Sequence, residues 1–251
     1  MKISARTLLV FHCSLIYIRA TSHEFGFWGE IQAMQTAPST LDHTVFKTSA
    51  IDFAQLAERG YVVVSNFLAP HYCQLLFNYA QNLAATDWQQ AGIGRADQYT
   101  TNTAVRQDKI RWLQRDFAPE RAYLDMMDGL RVQVNRELFM GLFDYECHLA
   151  HYPPGAFYRK HLDAFKGRSN RILTTVFYLN PHWQEADGGQ LVMYDERGRV
   201  LETILPEAGK LVIFLSDVFM HEVLAGNRDR FSITGWYRHN TSINGVIDPT
   251  R

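Results

Sequence analysis

The sequence has few of the features that mark several large classes of protein. Only three cysteines occur in 251 residues, at Cys13, Cys73 and Cys147, and no two form a C-x-x-C pair. This argues against a disulfide framework and against a structural zinc site. Lys plus Arg number 25 and Asp plus Glu number 26, so no net field attracts the chain to nucleic acid or to an anionic membrane. We expect a globular, monomeric protein of a reducing, cytoplasmic compartment.

Apolar runs long enough to span a membrane are also missing. The nearest approach is residues 8–18, which follow two basic residues but contain a polar interruption, so the segment only weakly resembles a secretory signal. We favour the alternative that the start codon is assigned too far upstream and that Met34 begins the working protein. On this interpretation residues 1–40 are an N-terminal extension, disordered or outside the working protein, and residues 41–251 form a single domain.

Helical periodicity is present in three segments of the first half. Residues 51–59 stop at a glycine suited to a left-handed cap, residues 70–85 begin with proline, and residues 119–138 repeat apolar side chains at three to seven positions. The β-branched run at 61–65 predicts a strand after the first helix. The polar, glycine-bearing stretch 89–104 is too long for an ordinary connection and indicates a functional lid or a disordered segment.

After residue 144 the pattern changes to short β-rich runs separated by Gly, Pro, Asn and Asp. Eight runs are predicted as strands, at about 146–152, 156–163, 171–179, 189–194, 199–205, 210–216, 219–224 and 229–238. This number of strands predicts an α+β, mainly β fold: a double-stranded β-helix, or jelly roll, with the N-terminal helices packed on the major sheet.

One set of residues has the composition of a metal site. His161 and Asp163 stand at i and i+2, so on a strand both side chains project from the same face. Alone the pair means little, because two solvated residues on a strand face would look the same. His221 lies in a later strand-like run, and two imidazoles with one carboxylate form the facial triad of non-haem Fe(II) oxygenases.

An open ferrous site needs a co-substrate that supplies electrons, and Arg230 is suited to hold one. It stands nine residues after His221, at the start of a β-branched and aromatic run that predicts a buried strand. A buried guanidinium is costly unless it is paired, and the distal carboxylate of 2-oxoglutarate would pair with it in bidentate fashion. The alternative is a salt bridge to an internal Asp or Glu.

These residues, in this order, resemble the 2-oxoglutarate oxygenases of the prolyl 4-hydroxylase superfamily, and in particular the Egl-nine type, the hypoxia-inducible-factor prolyl hydroxylases of animals and their bacterial relatives. The resemblance extends over roughly residues 50–240. It is strongest in the segments 106–112, 152–163, 175–180, 187–191, 221–223 and 230–236. It implies the jelly-roll fold and makes residues 41–251 the catalytic domain.

The resemblance also implies roles for individual residues. The metal ligands would be His161, Asp163 and His221, and Arg230 would hold the co-substrate. The residues implied around the co-substrate and the metal are Tyr152, Tyr158, Tyr178, Thr234 and Trp236, for whose aromatic members plain core packing is the alternative. The residues implied at the lid and substrate side are Arg106, Asp108, Trp112 and Arg171. Asp108 and Arg171 are predicted to pair when the lid closes and so to gate the substrate.

The resemblance implies an enzyme that uses Fe(II), 2-oxoglutarate and O2, with ascorbate as a reductant, and that releases succinate and CO2. Its substrate would be an exposed proline of a cytosolic protein, with elongation factor Tu as a candidate, and related enzymes sense oxygen. Two alternatives remain. One is a hydroxylase of another residue or of a small molecule, because substrate choice depends on the loops. The other is a jelly-roll metal-binding or sensing module without turnover, which Arg230 argues against.

Overall fold

The computed structural model describes residues 51–92, 102–164 and 169–240, together with the backbone of two short strands, Ser242–Ile243 and Val246–Ile247. The predicted N-terminal extension, residues 1–40, lies outside this part of the chain. So do residues 93–101, the centre of the predicted lid. The division of the chain into an extension and one domain therefore stays a prediction.

Three α-helices form where the apolar periodicity predicts them. Helix α1 (Phe53–Arg59) begins at Asp52, whose side chain accepts from the Gln55 N–H, and ends at Gly60 with φ of 76°, a left-handed conformation that glycine adopts without strain. Helix α2 (Pro70–Gln81) is shorter than predicted, because it ends before a 3-10 turn at Ala85–Asp87. Helix α3 (Ala118–Leu138) has proline in its first turn.

Thirteen strands are present in the described chain, and those that form the two large sheets pair only antiparallel. The strands are β1 (Tyr61–Val64), β2 (Gln89–Gln90), β3 (Lys109–Trp112), β4 (Asp144–Tyr152), β5 (Tyr158–His161), β6 (Arg171–Tyr178), β7 (Leu191–Tyr194), β8 (Val200–Ile204), β9 (Leu211–Leu215), β10 (His221–Val223), β11 (Arg230–Arg238), β12 (Ser242–Ile243) and β13 (Val246–Ile247). The major sheet has the order β1-β9-β6-β11-β4-β3-β2 and the minor sheet β5-β10-β7-β8. The eight strands predicted after residue 144 are confirmed as β4 to β11, and the two sheets form the expected jelly roll.

Each face of the major sheet packs against a different layer. On the outer face, Met127 and Leu130 of α3 pack with Leu149, Phe177 and Ile233 in one buried cluster. The predicted bracing of this sheet by the helices is therefore confirmed. The inner face carries the alternate residues of the same strands, because successive side chains point to opposite faces. It packs against the minor sheet and encloses the functional residues.

Two strands of the major sheet were not predicted, the short β2, which lies in the stretch interpreted as a lid, and β3. Lys109–Trp112 pairs with β4, with Trp112 opposite His148 and Lys109 opposite His151. Trp112, which the resemblance places at the lid and substrate side, therefore lies in a strand of the sheet, with its ring centroid 5.1 Å from that of His148. No helix among the described residues is both long enough and apolar enough to cross a membrane.

Candidate metal centre and co-substrate pocket

The three predicted metal ligands come together at the edge of the minor sheet. His161 and His221 lie directly opposite each other in the pairing of β5 with β10. Asp163 follows β5 by two residues, and its carboxylate oxygens lie 3.6 Å from Nε2 of each histidine. The three ligand atoms all lie within 4.8 Å of one another. This separation leaves room for one ion between them.

Hydrogen bonds orient each ligand toward the common centre. Nδ1 of His161 lies 2.7 Å from the Arg159 carbonyl, and Nδ1 of His221 lies 3.0 Å from the Phe219 carbonyl. A carbonyl only accepts, so each Nδ1 carries the proton and each Nε2 presents its lone pair. The Thr174 hydroxyl donates to Oδ2 of Asp163 over 2.8 Å. Such outer hydrogen bonds fix the ring orientation and tautomer of metal-binding histidines.

The protonation states also suit a metal. Burial lowers the pKa of His221 to about 4, with the neighbouring His161 adding to the effect. Burial acts to raise the pKa of Asp163, but the imidazoles of His221 and His161 outweigh it and hold that pKa below its usual range. At neutral pH the set therefore offers a carboxylate and a neutral His221 imidazole. Two imidazoles and one carboxylate fit ferrous iron with open coordination positions.

A second site lies on the inner face of the major sheet, at the start of β11. Arg230 is 2% exposed. Its Nε donates to the Gly189 carbonyl at 2.9 Å, and Nη1 donates to the Ser232 hydroxyl at 3.4 Å. The rings of Tyr152 and Tyr178 lie 4.8 and 5.1 Å from the guanidinium carbon. None of the ion pairs between described residues involves Arg230, so the salt bridge to an internal acid that we held as the alternative is absent there.

The Tyr178 hydroxyl is buried beside Arg230 without a hydrogen-bond partner among the described residues. Burial raises the pKa of this tyrosine to about 12, although the Arg230 guanidinium opposes the effect. The phenol is therefore a neutral donor next to a buried cation. A hydroxyl donor without an acceptor, beside a cation without an acidic partner among the described residues, fits the carboxylate of a bound ligand. Thr234 follows on the same face, opposite Val176 and His148.

The remaining predicted residues surround the metal ligands on the lid and substrate side. The Tyr158 ring stacks on His161 with 3.6 Å between ring centroids, and the Arg106 guanidinium carbon lies 4.6 Å from the centroid of the Tyr158 ring. Trp112 and Trp236 lie 6.4 Å apart, again between centroids. Of these aromatic side chains, Tyr158 lies directly against a predicted metal ligand.

The predicted pair of Asp108 with Arg171 does not form. Asp108 is fully buried and accepts from Nε and Nη2 of Arg106 at 2.6 and 2.8 Å. Arg171 pairs with Glu146 at 2.8 Å and lies 3.4 Å above the Trp236 ring. Asp108 and Arg106 are two residues apart in an extended segment, and therefore share a face. Glu146, across the sheet on β4, supplies the acid for Arg171.

Sequence reasoning did not identify His148, which is 2% exposed and lies between two tryptophans of the cavity wall. Its ring centroid is 5.1 Å from Trp112 and 5.4 Å from Trp236. Its Nε2 lies 3.5 Å from Nη2 of Arg106. Alternation along β4 from Tyr152 was the available signal, because it places His148 on the inner face. Thr174, Gly189 and Ser232 were missed because no motif names them.

Comparison with known proteins agrees with this geometry. The model of the 2OG-Fe(II) oxygenase superfamily matches residues 147–238. The hypoxia-inducible factor prolyl hydroxylase of Caenorhabditis elegans is 31% identical over 196 residues, which is 72% of this chain and 27% of that protein. The chain thus spans about a quarter of the length of this relative.

Solved structures extend the likeness to the whole fold. A prolyl hydroxylase from Trichoplax adhaerens, in complex with a hypoxia inducible factor peptide, has a TM-score of 0.63 at 24% identity, covering 88% of this chain and 94% of that one, and so shares the fold. A Pseudomonas putida prolyl-4-hydroxylase has a TM-score of 0.68 at 38% identity, covering 75% of this chain and 97% of that one. With this identity over nearly all of a prolyl-4-hydroxylase, the chain belongs to the prolyl 4-hydroxylase branch of the 2OG-Fe(II) oxygenase superfamily.

Proposed function

We propose that the protein is an Fe(II)- and 2-oxoglutarate-dependent dioxygenase that hydroxylates a proline residue of a cytosolic protein. The observation that carries the oxygenase assignment is the position of Arg230. It is a buried cation without an acidic partner among the described residues, on the face of the major sheet that packs against the minor sheet carrying the His-Asp-His set. A protein that only stores or senses a metal has no need of this arginine.

Two sets of residues would have separate roles, one in binding the metal and one in binding the co-substrate. His161, Asp163 and His221 would hold the iron. Arg230 and the Tyr178 hydroxyl would bind the distal carboxylate of 2-oxoglutarate and orient its keto acid end toward the metal. The chemistry supplied at such a centre is oxidative decarboxylation of 2-oxoglutarate to succinate and CO2, coupled to hydroxylation of a C–H bond with O2. Ascorbate would serve as the reductant that keeps the iron ferrous.

The substrate assignment rests on the wall of the cavity next to the metal ligands. Tyr158 is stacked directly on His161, and Trp112 and Trp236 add two more aromatic rings, 6.4 Å apart, on the inner face of the major sheet. A pyrrolidine ring is a compact apolar group that packs well against aromatic faces. We therefore propose an exposed prolyl residue as the target of a monomeric, cytoplasmic enzyme, and elongation factor Tu as the first protein to test.

A single assay tests the function. The purified protein is loaded anaerobically with Fe(II), then given 2-oxoglutarate, O2 and proline-containing peptides, while succinate and the peptide mass are followed. We expect succinate to form and the peptide mass to increase by one oxygen atom. Both should depend on proline, so peptides in which alanine replaces the proline serve as controls. Arg230→Met should abolish the turnover, whereas Arg199→Met, whose side chain is 68% exposed, should retain it.

Each alternative has its own outcome in this assay. Absence of 2-oxoglutarate binding would remove the oxygenase assignment. Turnover stimulated by a small molecule or by another residue, with no response to proline peptides, would remove the prolyl assignment and leave the oxygenase. Hydroxylation of peptides from other proteins but not of elongation factor Tu would remove only that candidate.

A further inference from the structure

The guanidinium of Arg230 is held only by neutral groups among the described residues. The Gly189 carbonyl accepts from Nε and the Ser232 hydroxyl from Nη1. Neutral acceptors orient a cation without cancelling its charge, whereas a carboxylate would compete with a ligand. The full charge of Arg230 therefore remains available to a carboxylate, provided that the guanidinium is in the right place. What determines its place is the backbone at Gly189.

Gly189 touches the side chain that its carbonyl anchors. Its φ is +68°, and a Cβ atom at this position would lie 3.1 Å from Cδ of Arg230 and 3.2 Å from Cζ2 of Trp183. Two separate reasons favour glycine: the left-handed backbone disfavours other residues, and a methyl group would displace the Arg230 or Trp183 side chain by a few tenths of an ångström. Gly189 therefore packs closely against the aliphatic part of the Arg230 side chain and limits where that side chain can lie.

Contacts with Trp183 and Ala225 hold the turn that contains Gly189 in place. The buried Trp183 donates from Nε1 to the Gly188 carbonyl at 2.9 Å. The Gly189 N–H donates to the Ala225 carbonyl at 3.2 Å, and a Cβ at Gly188 would come within 2.6 Å of that same oxygen. These contacts connect the turn to the segment that leads into β11 and hold it next to Arg230.

From this arrangement we propose that Gly189, backed by Trp183, is a positioning residue for the co-substrate. It sets the distance between the Arg230 guanidinium and the metal ligands, and thereby the length of the dicarboxylate that binds. The inference rests on the proposed use of 2-oxoglutarate. It goes beyond that proposal because Gly189 touches no ligand and acts only through Arg230.

The experiment compares two glycines that share a backbone conformation. Gly189→Ala is matched with Gly198→Ala, because Gly198 has φ of +74° and a Cβ there would meet nothing within 4 Å. Dissociation constants for Mn(II), and for 2-oxoglutarate and the one-carbon-shorter oxaloacetate on the Mn(II)-loaded proteins, are measured by calorimetry. Thermal unfolding of each variant is followed in parallel.

We expect Gly189→Ala to weaken 2-oxoglutarate binding by about tenfold or more, because a small misplacement of a binding group has large effects. Mn(II) affinity should stay at the wild-type value. The preference for 2-oxoglutarate over oxaloacetate should fall, since the guanidinium no longer lies at the distance that suits the longer acid. Gly198→Ala should leave all of these binding constants unchanged. Trp183→Phe, which removes the hydrogen bond to Gly188, should shift the 2-oxoglutarate constant in the same direction.

The possible contradictions are separable. Wild-type affinity for 2-oxoglutarate in Gly189→Ala, an equal loss in Gly198→Ala, or a parallel loss of Mn(II) binding would each overturn the positioning role. If Gly189→Ala does not fold, Trp183→Phe decides, and an unchanged ratio of the two acids in that variant overturns the role. A wild-type protein that binds Mn(II) but no 2-oxoglutarate would overturn the proposed function instead.

Discussion

The Thr174 hydroxyl donates a 2.8 Å hydrogen bond to Oδ2 of Asp163, and so connects a metal ligand of one sheet to a strand of the other. Thr174 is fully buried, and its hydroxyl also lies 2.9 Å from the Ser216 hydroxyl. The carboxylate is therefore oriented by the major sheet, although it follows a strand of the minor sheet. This link makes the metal centre depend on how the two sheets face each other.

Replacing Thr174 by valine keeps the shape of the side chain and removes the hydrogen bond. We expect Thr174→Val to weaken Mn(II) binding by about tenfold, the lower range for loss of a partner that orients a metal ligand. Mn(II) titration followed by calorimetry measures the effect. Thr203→Val on the exposed face of β8 is the matched control, and an equal loss of affinity in both variants would show that the hydrogen bond has no part in it.

The Tyr178 hydroxyl should matter to the ligand and not to the fold. Because it has no partner among the described residues, Tyr178→Phe should leave the unfolding free energy of the ligand-free protein within about 0.5 kcal/mol of wild type. The same change should weaken 2-oxoglutarate binding by about tenfold, equivalent to about 1.4 kcal/mol. Urea unfolding and calorimetry provide the two numbers.

Tyr123→Phe is the control for this prediction. Its hydroxyl is also buried without a partner in the described chain, but its ring packs in the cluster under the helices, outside the cavity. It should change neither quantity. A fall in folding stability specific to Tyr178→Phe would contradict the view that its hydroxyl is reserved for a ligand.

His148 should make the fold sensitive to acid. Burial lowers its pKa well below 6.5, and the Arg106 and Arg171 guanidinium groups lower it further. Its folded pKa therefore lies below its unfolded value, so the unfolded chain binds more protons and stability falls as pH decreases through about 6.5. One such group contributes a slope of up to about 1.4 kcal/mol per pH unit.

The measurement is urea unfolding of the metal-free protein at pH 7.5, 6.5 and 5.5. His148→Met should reduce the loss of stability on acidification without abolishing it, because the pKa of His221 is also lowered, to about 4, with the same sign. An identical pH dependence in wild type and variant would mean that the His148 imidazole is not held neutral by the fold.

The buried acid Asp108 should be coupled to Arg106 and not to Arg171. Removing one partner of a buried ion pair leaves an unpaired charge, so Asp108→Asn should destabilise the fold by about 3–5 kcal/mol. A double-mutant cycle with Arg106→Met should show a coupling energy of more than about 1 kcal/mol. The corresponding cycle with Arg171→Met should show a coupling energy near zero. A larger coupling energy with Arg171 than with Arg106 would instead support the pair predicted from the sequence.

Local patterns were sufficient for the three helices, for β1 and β4 to β11, and for bringing the four residues of the proposed metal and co-substrate sites to attention. Strands β4 to β11 follow from runs of alternating or β-branched residues between turn residues, and Gly60 ends α1 as its position predicts. The order of His161, Asp163, His221 and Arg230 is informative because their chemistry requires them together. Each of these inferences depends on residues close to one another in sequence or on ligand composition.

What could not be predicted depends on pairing between distant segments. Whether Lys109–Trp112 joins β4 is decided across the sheet, and the choice of Glu146 by Arg171 follows from the strand register and not from either local sequence. The same is true of Gly189, because its proposed positioning role depends on its contact with Arg230, a residue 41 positions later in the chain. His148 is the exception, since alternation from Tyr152 already places it on the inner face.

His161 and His221 are paired residues of neighbouring strands. This pairing affects which parts of the protein can change without changing the spacing of the imidazoles. A two-strand ladder sets the spacing of the imidazoles through its own backbone hydrogen bonds. The loops that surround the cavity entrance contribute no part of that spacing. Insertions, deletions or exchanges in those loops would therefore alter the shape offered to a substrate while the two imidazoles keep their spacing. An engineer could graft new entrance loops onto this scaffold and retain the paired imidazoles that the proposed chemistry requires.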